Sequence, residues 1–99
     1  MMVDFSMDPR WFPLMEARDK VATTRTKRKC DVGDTFMANG RRYVITRIVP
    51  MPMWSAVNCY FGYEGFRTAQ EFTEALRSYY PDIQDDTRVW THFFVEVVE

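Results

Sequence analysis

The apolar positions of the chain change period several times, and each change marks an element. From Asp8-Pro9 onward, Trp11, Leu14 and Met15 recur at helical spacing. Aspartate caps a first turn well and proline suits the first helical position, so a short helix is expected to begin there. Pro13 limits its length, and it is expected to fade near Arg18. Residues 21–26, Val-Ala-Thr-Thr-Arg-Thr, are rich in β-branched side chains and read as a strand. Strands over 35–38 and 42–49 flank Asn39-Gly40, a strong hairpin signal. In the second of these, Tyr43, Ile45, Arg47 and Val49 alternate with Val44, Thr46 and Ile48. Both sets are largely apolar, which predicts a barrel or a covered sheet rather than an open one. Pro50 and Pro52 are expected to end this strand.

A short helix is expected over 53–60. Thr68-Ala69-Gln70-Glu71 is a capping-box pattern, and Phe72, Ala75, Leu76 and Tyr79 follow at the spacing of one helix face. Tyr80-Pro81 stops that helix. Residues 88–98 form the final strand, with Val89, Thr91, Phe93, Val95 and Val97 on one face and Trp90, His92, Phe94, Glu96 and Val98 on the other. Residues 2–7 are expected to add a first strand. Strands separated by helices in so short a chain predict a small α+β barrel with two or three short helices, not a doubly wound sheet.

Composition narrows the picture. Ninety-nine residues make one domain, 1–99. No apolar run approaches the roughly 18–20 residues that span a bilayer, which excludes a membrane-spanning helix. The N-terminus carries Asp4 and Asp8 where a secretory signal carries positive charge, so a cytoplasmic protein is expected. Cys30 and Cys59 lie far apart with no paired spacing and read as reduced thiols. With the lone His92 they make no metal set, and the single Gly33-Asp34 turn is too weak a phosphate signal. No metal and no organic cofactor is expected, and a monomer is expected.

Net charge is −1, but its distribution is uneven. Residues 18–47 hold nine basic side chains against three acidic ones, and residues 64–99 hold three basic against eight acidic. Such a split can build a basic face suited to an anionic partner. Lys27-Arg28-Lys29, with Arg41 and Arg42 on the neighbouring hairpin, are candidate phosphate contacts, and Tyr43, Tyr60 and Tyr63 are candidate stacking rings. His92, mid-strand among aromatics, reads as a hydrogen-bonded structural histidine. Met51, Met53 and Trp54 read as core or lid packing, with an adaptor surface as the alternative.

Three stretches in this order resemble the ASCH family. Lys20, Thr23 and Arg25 match its Lys-x-x-Thr-x-Arg segment, and Gly33-Asp34 with the following hairpin match its second signature. Glu64-Gly65-Phe66, the capped helix, Tyr80-Pro81 and the closing strand match its third. The resemblance covers about residues 16–97. It implies a PUA-like β-barrel and RNA, nucleoside or nucleotide ligands, with Arg18 and Arg25 joining the basic set around a cleft. One branch of the family, the small N(4)-acetylcytidine amidohydrolases, uses a Lys, a Thr and a Glu, which resemblance places at Lys20, Thr23 and Glu64. Amide hydrolysis needs a nucleophile, a base and charge stabilisation, roles these would fill as Thr23 hydroxyl, Lys20 amine and Glu64 in support. Positions three apart on a strand point to opposite faces, so Lys20 is expected in the loop before the strand, curling back toward Thr23. The Lys-Arg-Lys run and the aromatic, Met-rich stretch 51–61 depart from that branch and favour a larger nucleic acid. Two readings follow: an RNA- or nucleotide-binding module in RNA metabolism, and an amidohydrolase acting on an acylated cytidine.

Overall fold

The computed structural model describes residues 1–98; Glu99, counted above among the acidic residues, lies outside them. A 3-10 turn at Pro9–Trp11 leads into α1 (Phe12–Glu16), and the strands are β1 (Ala22–Arg25), β2 (Thr35–Ala38), β3 (Arg41–Pro52) and β4 (Arg88–Glu96). Between β3 and β4 come α2 (Met53–Tyr60) and α3 (Ala69–Tyr79). The strands form one antiparallel sheet in the order β1-β4-β3-β2, curled into a half-barrel. The α+β class and the helix count agree with expectation.

Local chemistry explains most boundaries. Asp8 caps the first turn by accepting from the Arg10 N–H, and Thr68 caps α3 by accepting from the Glu71 N–H. Asn39 and Gly40 both have positive φ, 52° and 76°, the geometry that a two-residue hairpin between β2 and β3 requires. Residues 2–7 contribute one parallel bridge, Met2 to Thr35, in place of the expected strand. Phe5 serves instead as a core side chain.

Strand β3 differs from expectation in two ways. It continues through Pro50 and Pro52, which pair with Trp90 and Arg88 of β4. β2 pairs no further than Val44, so the far half of β3 has an open side. Two prolines two residues apart point the same way, and their missing N–H groups cost no ladder bond when they face that side. The second difference is a bulge between Ile45 and Arg47. Tyr43 and Ile45 are buried as alternation requires, but the extra residue Thr46 carries Arg47 out to solvent, and Ile48 packs on the same cluster instead.

Two apolar clusters result. Phe5, Met15, Phe36, Tyr43, Ile45 and Phe94 fill the hollow of the sheet. Met53, Val57, Phe72, Leu76, Ile83 and Val89 join α2 and α3 to the start of β4. Along β4, Val89 belongs to the second cluster and Phe94 to the first. Thr91 and His92 between them are both fully buried, so the simple two-face alternation expected of this strand breaks there. The buried polar residues Lys20, Thr23, Thr24 and Glu64 complete the set.

Candidate functional site

Lys20 sits in the link between α1 and β1, as the strand geometry demanded. Arg18 turns through a positive φ of 64°. The N–H groups of Asp19 and Lys20 then both donate to the Leu14 carbonyl, at 2.8 and 3.0 Å. The Val21 N–H donates to the Tyr63 carbonyl at 2.8 Å, which fastens this link to the turn after α2. That turn needs Gly65: its φ is +91°, and a Cβ there would lie 3.3 Å from Leu14 Cδ1 and 3.5 Å from Lys20 Cβ. The Glu64-Gly65 turn thus seats directly against the Lys20 link.

The consequence is a buried ion pair. Lys20 Nζ donates to Glu64 Oε1 at 2.9 Å and to the Glu64 carbonyl at 3.2 Å, with both side chains 3% exposed. The ammonium also lies 4.8 Å from the centre of the Trp11 ring, over its face. Glu64 Oε2 accepts from Thr24 Oγ1 at 2.6 Å. Since Thr24 spends its one proton on the carboxylate, its 2.8 Å contact with Thr91 Oγ1 must be donated by Thr91. Both carboxylate oxygens are therefore satisfied, as a buried charge requires.

Thr23 is also buried, and its Oγ1 accepts from the Nε–H of Arg25 at 3.4 Å. Arg25 also donates from Nη2 to the Ser6 carbonyl at 2.6 Å, and its guanidinium lies 4.6 Å from the centre of the Phe5 ring. Burial pushes the Arg25 pKa down from its ordinary value, opposed by the charges of Tyr80 and Glu64. The backbone of Thr23 is held by His92. His92 Nε2 accepts from the Lys29 N–H at 3.2 Å, so the ring proton is on Nδ1, which donates to the Thr23 carbonyl at 3.3 Å. Burial pushes the His92 pKa down to about 4, against the opposing effect of that hydrogen bond. His92 is thus neutral at pH 7 and structural.

A cavity of about 500 Å³ opens over this set. Lys20, Thr23, Thr24, Arg25 and Glu64 line it on one side. Residues 6–9, Trp11, Phe66 and the α3 face ending in Tyr79 and Tyr80 line it on the other. The volume falls within the usual range of roughly 300–1,000 Å³ for small-ligand sites. The residue set Lys20, Thr23 and Glu64 therefore shares one cavity, with Lys20 bonded to Glu64 and Thr23 bonded to Arg25.

The remaining basic residues do not join them. Lys27, Arg28 and Lys29 are exposed between β1 and β2, where Arg28 pairs with Asp31 at 3.0 Å. Arg41 is engaged by Glu96 at 3.1 Å and Glu16 at 3.4 Å. Arg42 is exposed beside it on the hairpin. Arg18 lines a smaller cavity of about 230 Å³ on the opposite side of Lys20, with Tyr43 and Glu96. Tyr63 is half exposed, packed edge-to-face with Tyr60 and Phe93 outside the main cavity.

Sequence reasoning did not find Thr24, Thr91, Trp11 or Tyr79. Lys20 and Thr24 are four apart, and that spacing lets one carboxylate reach both from a turn. Trp11 was legible only as a helix-face residue. Among the described residues, no group of three or more His, Cys, Asp or Glu is arranged to hold a metal ion, and no helix is long and apolar enough to cross a membrane.

No family model and no curated protein matches the chain. Solved structures do. An ASCH domain from Lactobacillus crispatus aligns with a TM-score of 0.72 at 13% identity, over 96% of this chain and 79% of its own. A Pyrococcus furiosus protein solved by NMR gives 0.72 at 14% identity, over the whole of both chains. A crystal structure from Enterococcus faecalis gives 0.68 at 18% identity, over 98% of this chain and 80% of that one. Helices, curled four-stranded sheet and connectivity together make this an ASCH-type, PUA-like fold.

Proposed function

We propose that the cavity binds one nucleobase, presented by RNA or by a free nucleoside or nucleotide, and that the protein works in RNA metabolism. One observation carries this reading: a cavity of about 500 Å³ walled by Trp11, Phe66, Tyr79 and Tyr80 has a fixed polar floor of Lys20, Thr23, Thr24 and Glu64. Aromatic rings offer faces to any base, and a few placed donors and acceptors read its edge. The polar floor is pre-formed, because every buried side-chain nitrogen and oxygen among the described residues already has a partner. Titration with cytidine, followed by the fluorescence of Trp11 against a Trp11→Phe control, tests it. Saturable quenching that Lys20→Met weakens is the expected result; no response at millimolar ligand contradicts it.

A second reading is favoured by the placement of Lys20, Thr23 and Glu64 around one cavity. In it, Thr23 Oγ attacks the acyl carbonyl of an N(4)-acylated cytidine. Passage of one Lys20 proton to Glu64 along their 2.9 Å contact leaves an amine free to take the Thr23 proton and return it to the leaving N(4) amine. Water then releases the acyl group from Thr23. Turnover of N(4)-acetylcytidine, lost in Thr23→Val but not in a folded surface control, is the expected signature. A folded wild type with no turnover leaves nucleobase binding alone.

A further inference from the structure

Of the four charged residues lining the main cavity, Asp8, Lys20, Arg25 and Glu64, three are held in ion pairs and one is not. Lys20 and Glu64 cancel as an ion pair at 2.9 Å. Asp8, at the mouth, is matched by Arg10 at 3.5 Å. Arg25 is left over: it lines the cavity, and no carboxylate of the described residues forms an ion pair with it. Its Nε–H is directed to Thr23 and one Nη2 proton to the Ser6 carbonyl. The two Nη1 protons and the second Nη2 proton have no protein acceptor among the described residues. The guanidinium plane is fixed from one side by Phe5 at 4.6 Å. An oriented guanidinium with solvent-facing donors on one edge is placed to exchange water for an anionic ligand.

Resting on the nucleobase reading above, we infer that Arg25 receives a singly charged phosphodiester, so that the ligand is a nucleotide within an RNA strand rather than a free nucleoside. Arg25 is the lining cation without an ion-pair partner, and an internal phosphodiester carries one negative charge with two equivalent oxygens. The free edge of Arg25 offers parallel N–H donors to such a pair. A neutral nucleoside leaves that guanidinium without an ionic partner. The nucleobase enters between the aromatic walls and Lys20, and its flanking phosphate stops at Arg25 beside Thr23. Base readout and backbone anchoring then meet on one strand, since Thr23 and Arg25 are two residues apart in β1.

The test compares four ligands on the whole protein: cytidine, cytidine 5′-monophosphate, the dinucleotide cytidylyl-uridine, and the same dinucleotide with a neutral methylphosphonate link. The wild type is expected to bind the charged dinucleotide at least about tenfold more tightly than its methylphosphonate twin, the size of a charged hydrogen bond. Arg25→Gln is expected to erase that difference and Arg25→Lys to keep part of it. Equal affinity for the charged and neutral dinucleotides in the wild type, with cytidine still bound, overturns this inference and leaves the nucleobase reading standing. Tighter binding of the monophosphate than of the dinucleotide overturns the assignment to a strand. A charge preference that survives in Arg25→Gln overturns the assignment to Arg25. Absence of any binding overturns both readings. Should Arg25→Gln fail to fold, the wild-type pair of dinucleotides and Arg25→Lys decide the question.

Discussion

Two basic regions of this molecule sit a few residues apart in sequence and behave in opposite ways. Around Lys20 and Arg25 the cations are taken out of water, oriented by aromatic rings and bonded to Glu64, Thr23 and Ser6. From Lys27 to Lys29, and again at Arg41 and Arg42, they stand in solvent, where Arg28 and Arg41 lean on nearby carboxylates. Side-chain type alone does not distinguish the regions. What distinguishes them is whether the backbone places the charge between layers. The lesson is that a run of basic residues is the conspicuous feature of the sequence, while the isolated lysine and arginine are the ones with fixed geometry.

The sharpest way to break that contrast is to remove one partner of the buried pair. Lys20→Met leaves Glu64 charged and without its counter-ion, and a loss of about 3–5 kcal/mol in denaturant unfolding is expected. The double variant Lys20→Met with Glu64→Leu is expected to recover most of that loss while still failing to bind ligand. Full stability in the single variant would show that the pair contributes no structural constraint.

Next comes pH. The His92 pKa is about 4 folded against 6.5 as its ordinary value, so the unfolded chain binds the extra proton between those limits. Stability contributed by neutral His92 is present above pH 6.5 and is lost as pH falls toward 4, amounting to about 3 kcal/mol. Wild-type stability measured across that window should fall more steeply than that of His92→Gln, which can accept from Lys29 and donate to Thr23 without titrating. Parallel curves would contradict the assignment.

Thr24→Val removes one of the carboxylate's donors and strands Thr91 Oγ1, so a loss of about 1–3 kcal/mol is expected, with weakened ligand binding. The smallest effect is expected at the exposed run. Changing Lys27, Arg28 and Lys29 together to alanine should leave the unfolding midpoint in place. It should leave RNA affinity unchanged from the wild type at each salt concentration, with the slope of log affinity against log salt staying near −0.7, the value for about one phosphate on a single strand. A steep slope that collapses in this variant would shift the interface to the basic run.

How much of this was legible beforehand follows from range. Asp8-Pro9, Asn39-Gly40 and Thr68 through Glu71 each encode an element boundary in a few adjacent residues, and all three appear where expected. The bulge at Thr46 does not announce itself, because one inserted residue in β3 is compensated only by the partner strand β4. Pro50 and Pro52 misled because tolerance of proline depends on whether a neighbour strand exists on that side, which is a tertiary fact. The meeting of Lys20 with Glu64 rested on family resemblance; no periodicity joins residues 44 apart. Thr24 and Trp11 escaped because a threonine in a strand and a tryptophan in a helix look the same whether or not an ion pair lies beside them.

Chemical-shift mapping of backbone amides during titration with a short cytidine-containing RNA tests the central claim most directly. The largest shifts are expected at residues 20–25, at Glu64 through Phe66 and at the Tyr79–Tyr80 end of α3. Shifts confined to residues 27–29 and 41–42, with the cavity residues unmoved, would contradict it.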